Sequence, residues 1–518
     1  PETARLLRVT PEGDFAEALS GPAVPWGRWL RYQYARFDFS SVEEPGLYVL
    51  EYAGERTATF RIAADVYRRG VWQPALDTFL PAQMDHVLVR EGYKVWHGAS
   101  HLDDARQAPP DHEHFDGYAM PSTTDSPYAA GEHIPGLDRG GWYDAGDFDI
   151  RTQTQAGVIL NLVLLKEHFD AEWDETTVDQ EARFVQIRKP DGVPDVVQQI
   201  EHGVIALLAQ YEAVGHAIPG IIAPTLQQYT HLGDGASKTD NRIYSSELGA
   251  LENDGVRSGV PDDRWAFTTR TTALQYGTAA ALAAASRALR GYDDALGARC
   301  LETAERAWTD EQGREPTTFR SFNTTGGNPA VEEVRATVEL LLATDGGVAY
   351  RTRLGELLPT IEQQIGWLGG TVVHALPHMD AAFKVALANA LRESRPGLEE
   401  LLGGNPYGVM ITTGTWGGAG AATGIAVQSY FLHRAFPEIV GPELTFRGLD
   451  YVLGTHPGSS TSLVSGIGAR SALVAYGMNR ADYSFVPGGM IPGIVIVQPD
   501  FPELKEDWPF LWFENEYV

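Results

Sequence analysis

Three aspartates, Asp144, Asp147 and Asp149, fall within six positions of the stretch Gly140–Asp149, which reads Gly-Gly-Trp-Tyr-Asp-Ala-Gly-Asp-Phe-Asp. Gly140, Gly141 and Gly146 let the backbone turn tightly, so the stretch reads as a structured loop rather than a helix interior. Near the other end of the chain, Trp508–Val518 (Trp-Pro-Phe-Leu-Trp-Phe-Glu-Asn-Glu-Tyr-Val) sets Glu514 and Glu516 among aromatic residues. A carboxylate pair on one loop and an acid in apolar surroundings elsewhere suit acid/base hydrolysis of a glycosidic bond. One carboxylate stays ionised to activate water, while the other holds a proton near neutral pH. Aromatic neighbours exclude water and so penalise the charged form of either glutamate. The same aspartates would equally serve to cap a helix start or to hold a cation.

A second cluster of chemistry-bearing residues lies in Trp96–Arg139. It holds His97, His101, His112, His114 and His133, with Asp103, Asp104, Asp111 and Asp116. Imidazole nitrogens with carboxylates are zinc ligand types, and His101, His112 and His114 are the candidate set. A polar loop beside a cleft reads the same way. Trp142, Tyr143 and Trp265 could stack on sugar rings, although an aromatic serves a core equally well. The net charge of −29 leaves no basic face for nucleic acid and suits an uncharged or cationic substrate. Cys300 is the only cysteine, which excludes an intrachain disulfide. No apolar run approaches the ~18 residues of a membrane span. No phosphate loop or Gly-x-Ser-x-Gly elbow is present.

The elements that must position these residues are mostly helical. Residues 1–66 read as β structure, with strands expected at Leu47–Tyr52 and Thr57–Ile62 around the turn signal Ala53-Gly54-Glu55. From Val71 onward apolar residues recur three and four apart, which predicts helices at Ala75–Arg90, Thr152–His168, Asp195–Val214, Thr269–Leu289, Asp293–Thr309, Val331–Thr344, Arg351–Leu368, Ala381–Arg392, Ala419–Ala435 and Pro442–Leu453. No strands are expected between them. With 43% hydrophobic residues the chain can bury a large core.

Gly-Gly-Trp-Tyr-Asp-Ala-Gly-Asp resembles the signature of glycoside hydrolase family 9, a cellulase family with an (α/α)6 barrel and an inverting mechanism. The likeness extends to Val193-Pro194-Asp195-Val196-Val197, Thr268–Trp308, Leu449–Pro457, Ser462–Gly468 and Val486–Pro499. Phe37–Tyr67 resembles the last strands of the immunoglobulin-like module that precedes the barrel in one branch. The implied division is a short module over residues 1–66 and a mainly α catalytic domain over 67–518. The resemblance makes Asp147 the general base and gives Asp144 a share in holding the water. It makes Glu516, in the Asn515-Glu516 pair, the general acid, with Glu514 in reserve. Where relatives carry Pro-His-His-Arg, this chain has Tyr476-Gly477-Met478-Asn479-Arg480, so Arg480 inherits the sugar-holding arginine while both histidines are missing. Relatives of that branch hold a structural zinc at Cys-His-x-Asp-Asp; Ser100 replaces the thiolate here. Asn328, Glu332 and Glu333 fall where relatives carry a Ser-Gly-x-x-Asp-Glu calcium motif, although acidic residues also suit a helix start without any ion.

The implied activity is cleavage of β-1,4-glucosidic linkages in cellulose or related β-glucans, with no cofactor needed for the chemistry and structural calcium or zinc as the metals to test. Two alternatives stand: an exo-acting glycosidase, such as one releasing glucosamine from chitosan oligomers, and a catalytically inactive carbohydrate-binding relative. A monomer, secreted or periplasmic and bound to neither membrane nor nucleic acid, is expected. The chain begins at Pro1 and contains no signal peptide, so an export segment is expected to have been removed.

Overall fold

The computed structural model describes residues 2–30, 32–114, 117–144, 148–225, 238–319, 326–413, 417–457, 460–472, 475–476, 485–497, 510–514 and 516–517, those from 510 onward and residues 475, 476 and 497 by backbone alone. The chain falls into two compact units, one of residues 1–75, 394–475 and 481–517, the other chiefly of residues 76–393.

In the first unit, Thr3–Val9 lies between Phe15–Pro22 and Gly46–Tyr52 in an antiparallel sheet that also takes Glu55–Arg56 and Phe60–Ile62. Leu6, Leu7, Tyr48 and Val49 are buried in it, adjacent residues projecting to opposite faces. The hairpin after Tyr52 closes through Ala53 and Gly54, both with positive φ (52° and 83°), the backbone hand that matches strand twist in a two-residue turn. A separate hairpin joins Val24–Trp29 to Tyr32–Arg36. Helices Ala419–Ala435 and Glu443–Val452 pack together in the same unit.

The second unit is built on Thr272–Ala288, a helix buried on nearly every side, with Ala279 through Ala285 all below 2% exposure. A helix apolar all round belongs inside, and its alanines admit close neighbours. Thr152–Phe169, Asp294–Gln312 and Pro329–Ala343 pack on it, and Asp195–Ala213 packs on Thr152–Phe169. Arg287 ties three of these helices, pairing with Glu167 at 3.0 Å and Glu339 at 2.8 Å. Asp293 caps its helix by accepting from Leu296 N at 2.8 Å. Cys300 is buried in that helix and its thiol is pushed up to about 12 by burial, which leaves it unreactive at neutral pH.

Three expectations need correction. Ala75–Arg90 is helical only to Ala82; His86 then turns through positive φ, and Leu88–Glu91 becomes a strand parallel to Phe184–Ile187. Arg351–Leu368 is broken into Val348–Glu356, Leu358–Gln363 and the start of Ile365–Val372, with Pro359 opening the middle piece. Strands do lie between the helices. One sheet runs Arg106–Gln107, Trp265–Phe267, Gly220–Ile222, Ile150–Arg151, and another runs Thr176–Asp179, Phe184–Ile187, Leu88–Glu91, Lys94–His97. Among the described residues no helix is long and apolar enough to cross a membrane.

Candidate active site

Gly140–Asp149 runs from a glycine pair against one helix into the two-residue strand Ile150–Arg151, and every described part of it is held. Gly140 (φ +67°) and Gly141 (φ +84°) lie on Asp195–Ala213 so closely that a Cβ on Gly140 would meet the His202 carbonyl at 2.4 Å. His202 Nε2 reaches the Gly141 carbonyl at 2.7 Å, and burial depresses this imidazole to about 4, so it is neutral and donates one N–H. Gln155, on Thr152–Phe169, takes both sides of the next peptide: its Oε1 accepts from Trp142 N and its Nε2 donates to Trp142 O, each at 2.9 Å.

Asp144 N donates to Asp149 O at 2.9 Å. Arg151 pairs with Asp144 Oδ2 at 3.2 Å and lies 3.9 Å from Asp149 Oδ2. Burial alone would lower Arg151, but Asp144, Tyr118 and Asp149 together outweigh it and the guanidinium is held more firmly charged. Tyr118 donates to Asp149 Oδ2 at 2.5 Å; burial, then the Asp149 charge, raises this phenol well above its ordinary range, so it stays a donor. Asp149 therefore anchors the loop, a role that its place in the sequence did not distinguish from those of Asp144 and Asp147. Asp144 keeps partial exposure, its side chain at 12%.

Beneath the loop sits a charge cluster that the sequence reading missed. Arg264, 1% exposed, donates to Asp85 Oδ2 at 2.6 Å, to Asp104 Oδ1 at 3.0 Å and, by Nη1, to the Phe148 carbonyl. His86 spans Gly140 O at 2.9 Å and Asp104 Oδ2 at 3.0 Å. Burial works against every charge here. For Asp85 and Asp104 burial is the largest single influence, but Arg264 and the histidines together outweigh it and hold both carboxylates below their usual range, well below for Asp85. For His86 the charges of Asp85 and Asp104 together outweigh burial and raise the imidazole. Two carboxylates thus face a guanidinium and an imidazole whose two ring nitrogens both meet acceptors, an arrangement that favours its protonated form. Phe148 itself adopts φ +60°, a backbone state costly for an aromatic residue, and its carbonyl is fixed by Arg264. Asp103-Asp104 was visible in the sequence, but no local signal joins Asp104 to an arginine 160 positions away.

Trp142 and Tyr143 are core, not sugar platforms. Trp142 is 2% exposed, with Nε1 donating to Gln199 at 2.8 Å; Tyr143 is 4% exposed, with its hydroxyl 2.6 Å from Ser100. Trp265 keeps part of its surface open, with its ring centroid 4.7 Å from that of His112. The three histidines of the zinc reading do not come together. His112 and His114 pack around Phe267, whereas His101 faces Asp85, Tyr143 and Phe148. Among the described residues they form no group of converging ligand atoms, and position 100 offers a serine hydroxyl already engaged with Tyr143. That donor set does not fit zinc.

The calcium reading fares similarly. Asn328 caps its helix by accepting from Ala330 N at 2.9 Å, Glu332 pairs with Arg335 and Glu333 with Arg353, each at 2.7 Å. The arginines already supply the positive charge an ion would bring. Asp147 and Arg480 lie outside the described residues. Glu514 ends the strand Phe510–Glu514 and Glu516 opens Glu516–Tyr517, but the side chains of both also lie outside the description.

A cavity of about 190 Å³ adjoins Phe148, lined by His101, Lys238, Asp262 and Arg264 among others. A wider crevice of about 610 Å³ takes in only Gly140 of the described loop residues and is walled by Asp138, Arg139, Glu201 and Arg299.

Residues 78–476 match Glycosyl hydrolase family 9. Endoglucanase D of Acetivibrio thermocellus is 24% identical over 279 residues, a stretch covering 52% of this chain and 35% of that protein. The match thus spans about a third of that curated relative's length. A metagenome-derived glycoside hydrolase family 9 endoglucanase superposes with TM-score 0.68 at 21% identity, covering 95% of this chain and 84% of its own. A Zn-binding triple mutant of GH family 9 endoglucanase J30 gives 0.69 at 18% identity, covering 95% and 86%. At these identities the likeness shows a shared fold.

Proposed function

Since this chain belongs to glycosyl hydrolase family 9, we propose that it is an inverting glycoside hydrolase acting on β-1,4-glucosidic linkages of cellulose or related β-glucans. The supporting observation is the setting of Asp144, the first residue of the Asp-Ala-Gly-Asp sequence, whose backbone bonds Asp149 and whose carboxylate pairs with Arg151. In this reading the finer architecture is the family's: an (α/α)6 barrel over residues 67–518, preceded by an immunoglobulin-like module over 1–66.

Asp147 acts as general base. It draws a proton from a water that Asp144 helps to hold, and the water oxygen attacks the anomeric carbon. Glu516 gives its proton to the departing glycosidic oxygen as the C–O bond breaks, so one proton enters and one leaves. Attack from the face opposite the leaving group inverts the β-linkage to an α-anomer, with the two carboxyl groups standing about 6.5–9.5 Å apart to leave room for the water. Arg480 and Trp265 contribute to holding the sugar, and no cofactor enters the chemistry. A secreted or periplasmic monomer acting on a β-linked polysaccharide or oligosaccharide completes the reading.

The test is the hydrolysis of a soluble β-1,4-glucan followed by proton NMR. The first-formed product should be the α-anomer, and Asp147→Asn should lower kcat by about 10²-fold or more with the fold intact. A β-anomer, or wild-type turnover in that variant, would overturn the assignment.

A further inference from the structure

Two acid clusters, one buried and one half-buried, meet at the neighbouring residues Asp103 and Asp104, and they differ in how their charge is met. Asp85, His86 and Asp104 bring ligand atoms within 4.8 Å of one another, but Arg264 already stands among them. Asp103, Asp240 and Asp262 also converge within 4.8 Å, and among the described residues none of the three forms an ion pair.

The local geometry spends one oxygen of each of these carboxylates on structure. Asp103 Oδ2 accepts from the Thr239 hydroxyl at 2.6 Å, Asp262 Oδ2 accepts from Asp240 N at 2.6 Å, and Asp240 Oδ1 accepts from Arg242 N at 2.8 Å. The second oxygens of Asp103 and Asp262, both Oδ1, are buried with no hydrogen-bond partner. Asp103 as a whole is 0% exposed. A buried carboxylate oxygen without a donor is costly, and three acids in one place multiply the cost unless a cation meets them. The nearby guanidiniums make their contacts elsewhere: Arg264 with Asp85 and Asp104, Arg106 over the Tyr244 ring and 3.9 Å from Asp263, its charge reaching Asp262 only as a minor influence, and Arg242 with the Asp240 carbonyl at 3.4 Å. Lys238 lines the same cavity as Asp262 but pairs with none of the three among the described residues.

We propose that Asp103, Asp240 and Asp262 form a binding site for a hard divalent cation of the calcium class. All three donors are carboxylate oxygens, which favours calcium over zinc, and a half-open site leaves room for water to complete six to eight ligands. The ion would bind the turn 239–242 to Asp103, next to the Asp104–Arg264–Phe148 chain that fixes the signature loop.

The full chain, stripped with chelator and exchanged into metal-free buffer, is titrated with CaCl2 by calorimetry and by thermal unfolding. About one equivalent should bind with a dissociation constant below roughly 1 mM, and saturation should raise Tm by a few degrees. Asp262→Asn and Asp240→Asn, both at partly exposed positions, should each weaken this binding about tenfold or more, because each removes a ligand charge. Glu333→Gln, in the other candidate calcium motif, should leave the titration unchanged. Circular dichroism of each variant establishes that it is folded. No uptake up to millimolar calcium would overturn the proposal, and so would uptake untouched by both Asp240→Asn and Asp262→Asn. Neither result bears on the hydrolase reading, since no step of that chemistry passes through the ion.

Discussion

Because Arg264 is shared by Asp85, Asp104 and the Phe148 carbonyl at 1% exposure, its charge decides whether two buried carboxylates can stay ionised. Removing one partner of such a cluster leaves an unpaired buried charge, which typically costs about 3–5 kcal/mol. The pH dependence follows from the neighbouring His86. Its imidazole is raised in the folded protein, so its contribution is full below the unfolded value of about 6.5 and is lost as pH rises through the folded value. Asp85 and Asp104 are depressed, so theirs is present above the ordinary carboxylate range and lost only in acid. His86→Gln should therefore be clearly less stable than wild type at pH 6, with the gap narrowing as the pH is raised through the alkaline side. Denaturant melts across that range check this, and a gap that holds constant would mean that His86 carries no charge.

At the level of elements, the site depends on a loop lying directly against a helix. A Cβ at position 140 would meet His202 O at 2.4 Å and Ala206 N at 2.8 Å, in addition to the strain of φ +67°. Gly192 has φ +90° but nothing within 4 Å, so it isolates the backbone strain from the close approach. Gly140→Ala should cost more than Gly192→Ala, by about 1–3 kcal/mol or more, and should lower turnover as well because the loop must lift from Asp195–Ala213. Equal losses in the two variants, measured by chemical unfolding, would remove the helix contact from the account. The same helix contributes Gly203, where a Cβ would strike the Trp142 ring at 2.4 Å, so loop and helix fit through two glycines facing opposite ways.

For the whole molecule, the net charge of −29 separates the two substrate classes left by the sequence. A field of one sign steers a charged substrate and has little hold on a neutral one, and salt screens it within about 8 Å at physiological ionic strength. If the substrate is a neutral β-glucan, kcat/KM should change by less than about twofold between low and high salt. A steep loss with salt, seen with chitosan oligomers and not with glucans, would instead favour the cationic substrate of the exo-acting alternative.

The sequence by itself determined what is local. Tight-turn glycines marked Gly140–Asp149 as a loop, Pro194-Asp195 marked a helix start, and periodicity placed Thr152–Phe169 and the alanine-rich Thr272–Ala288 within a few residues, because turn chemistry and helical spacing are written in neighbouring positions. Strands of two to four residues, such as Arg106–Gln107 and Ile150–Arg151, carry no period to read; pairing with distant partners makes them strands. Only the tertiary structure decided that Trp142 and Tyr143 turn inward, and that His101 parts from His112 and His114. It alone decided that Asp104 is neutralised by Arg264 while Asp103, one residue away, faces Asp240 and Asp262. Burial and long-range charge set those outcomes, and both depend on side chains that meet only after more than a hundred intervening residues have folded between them.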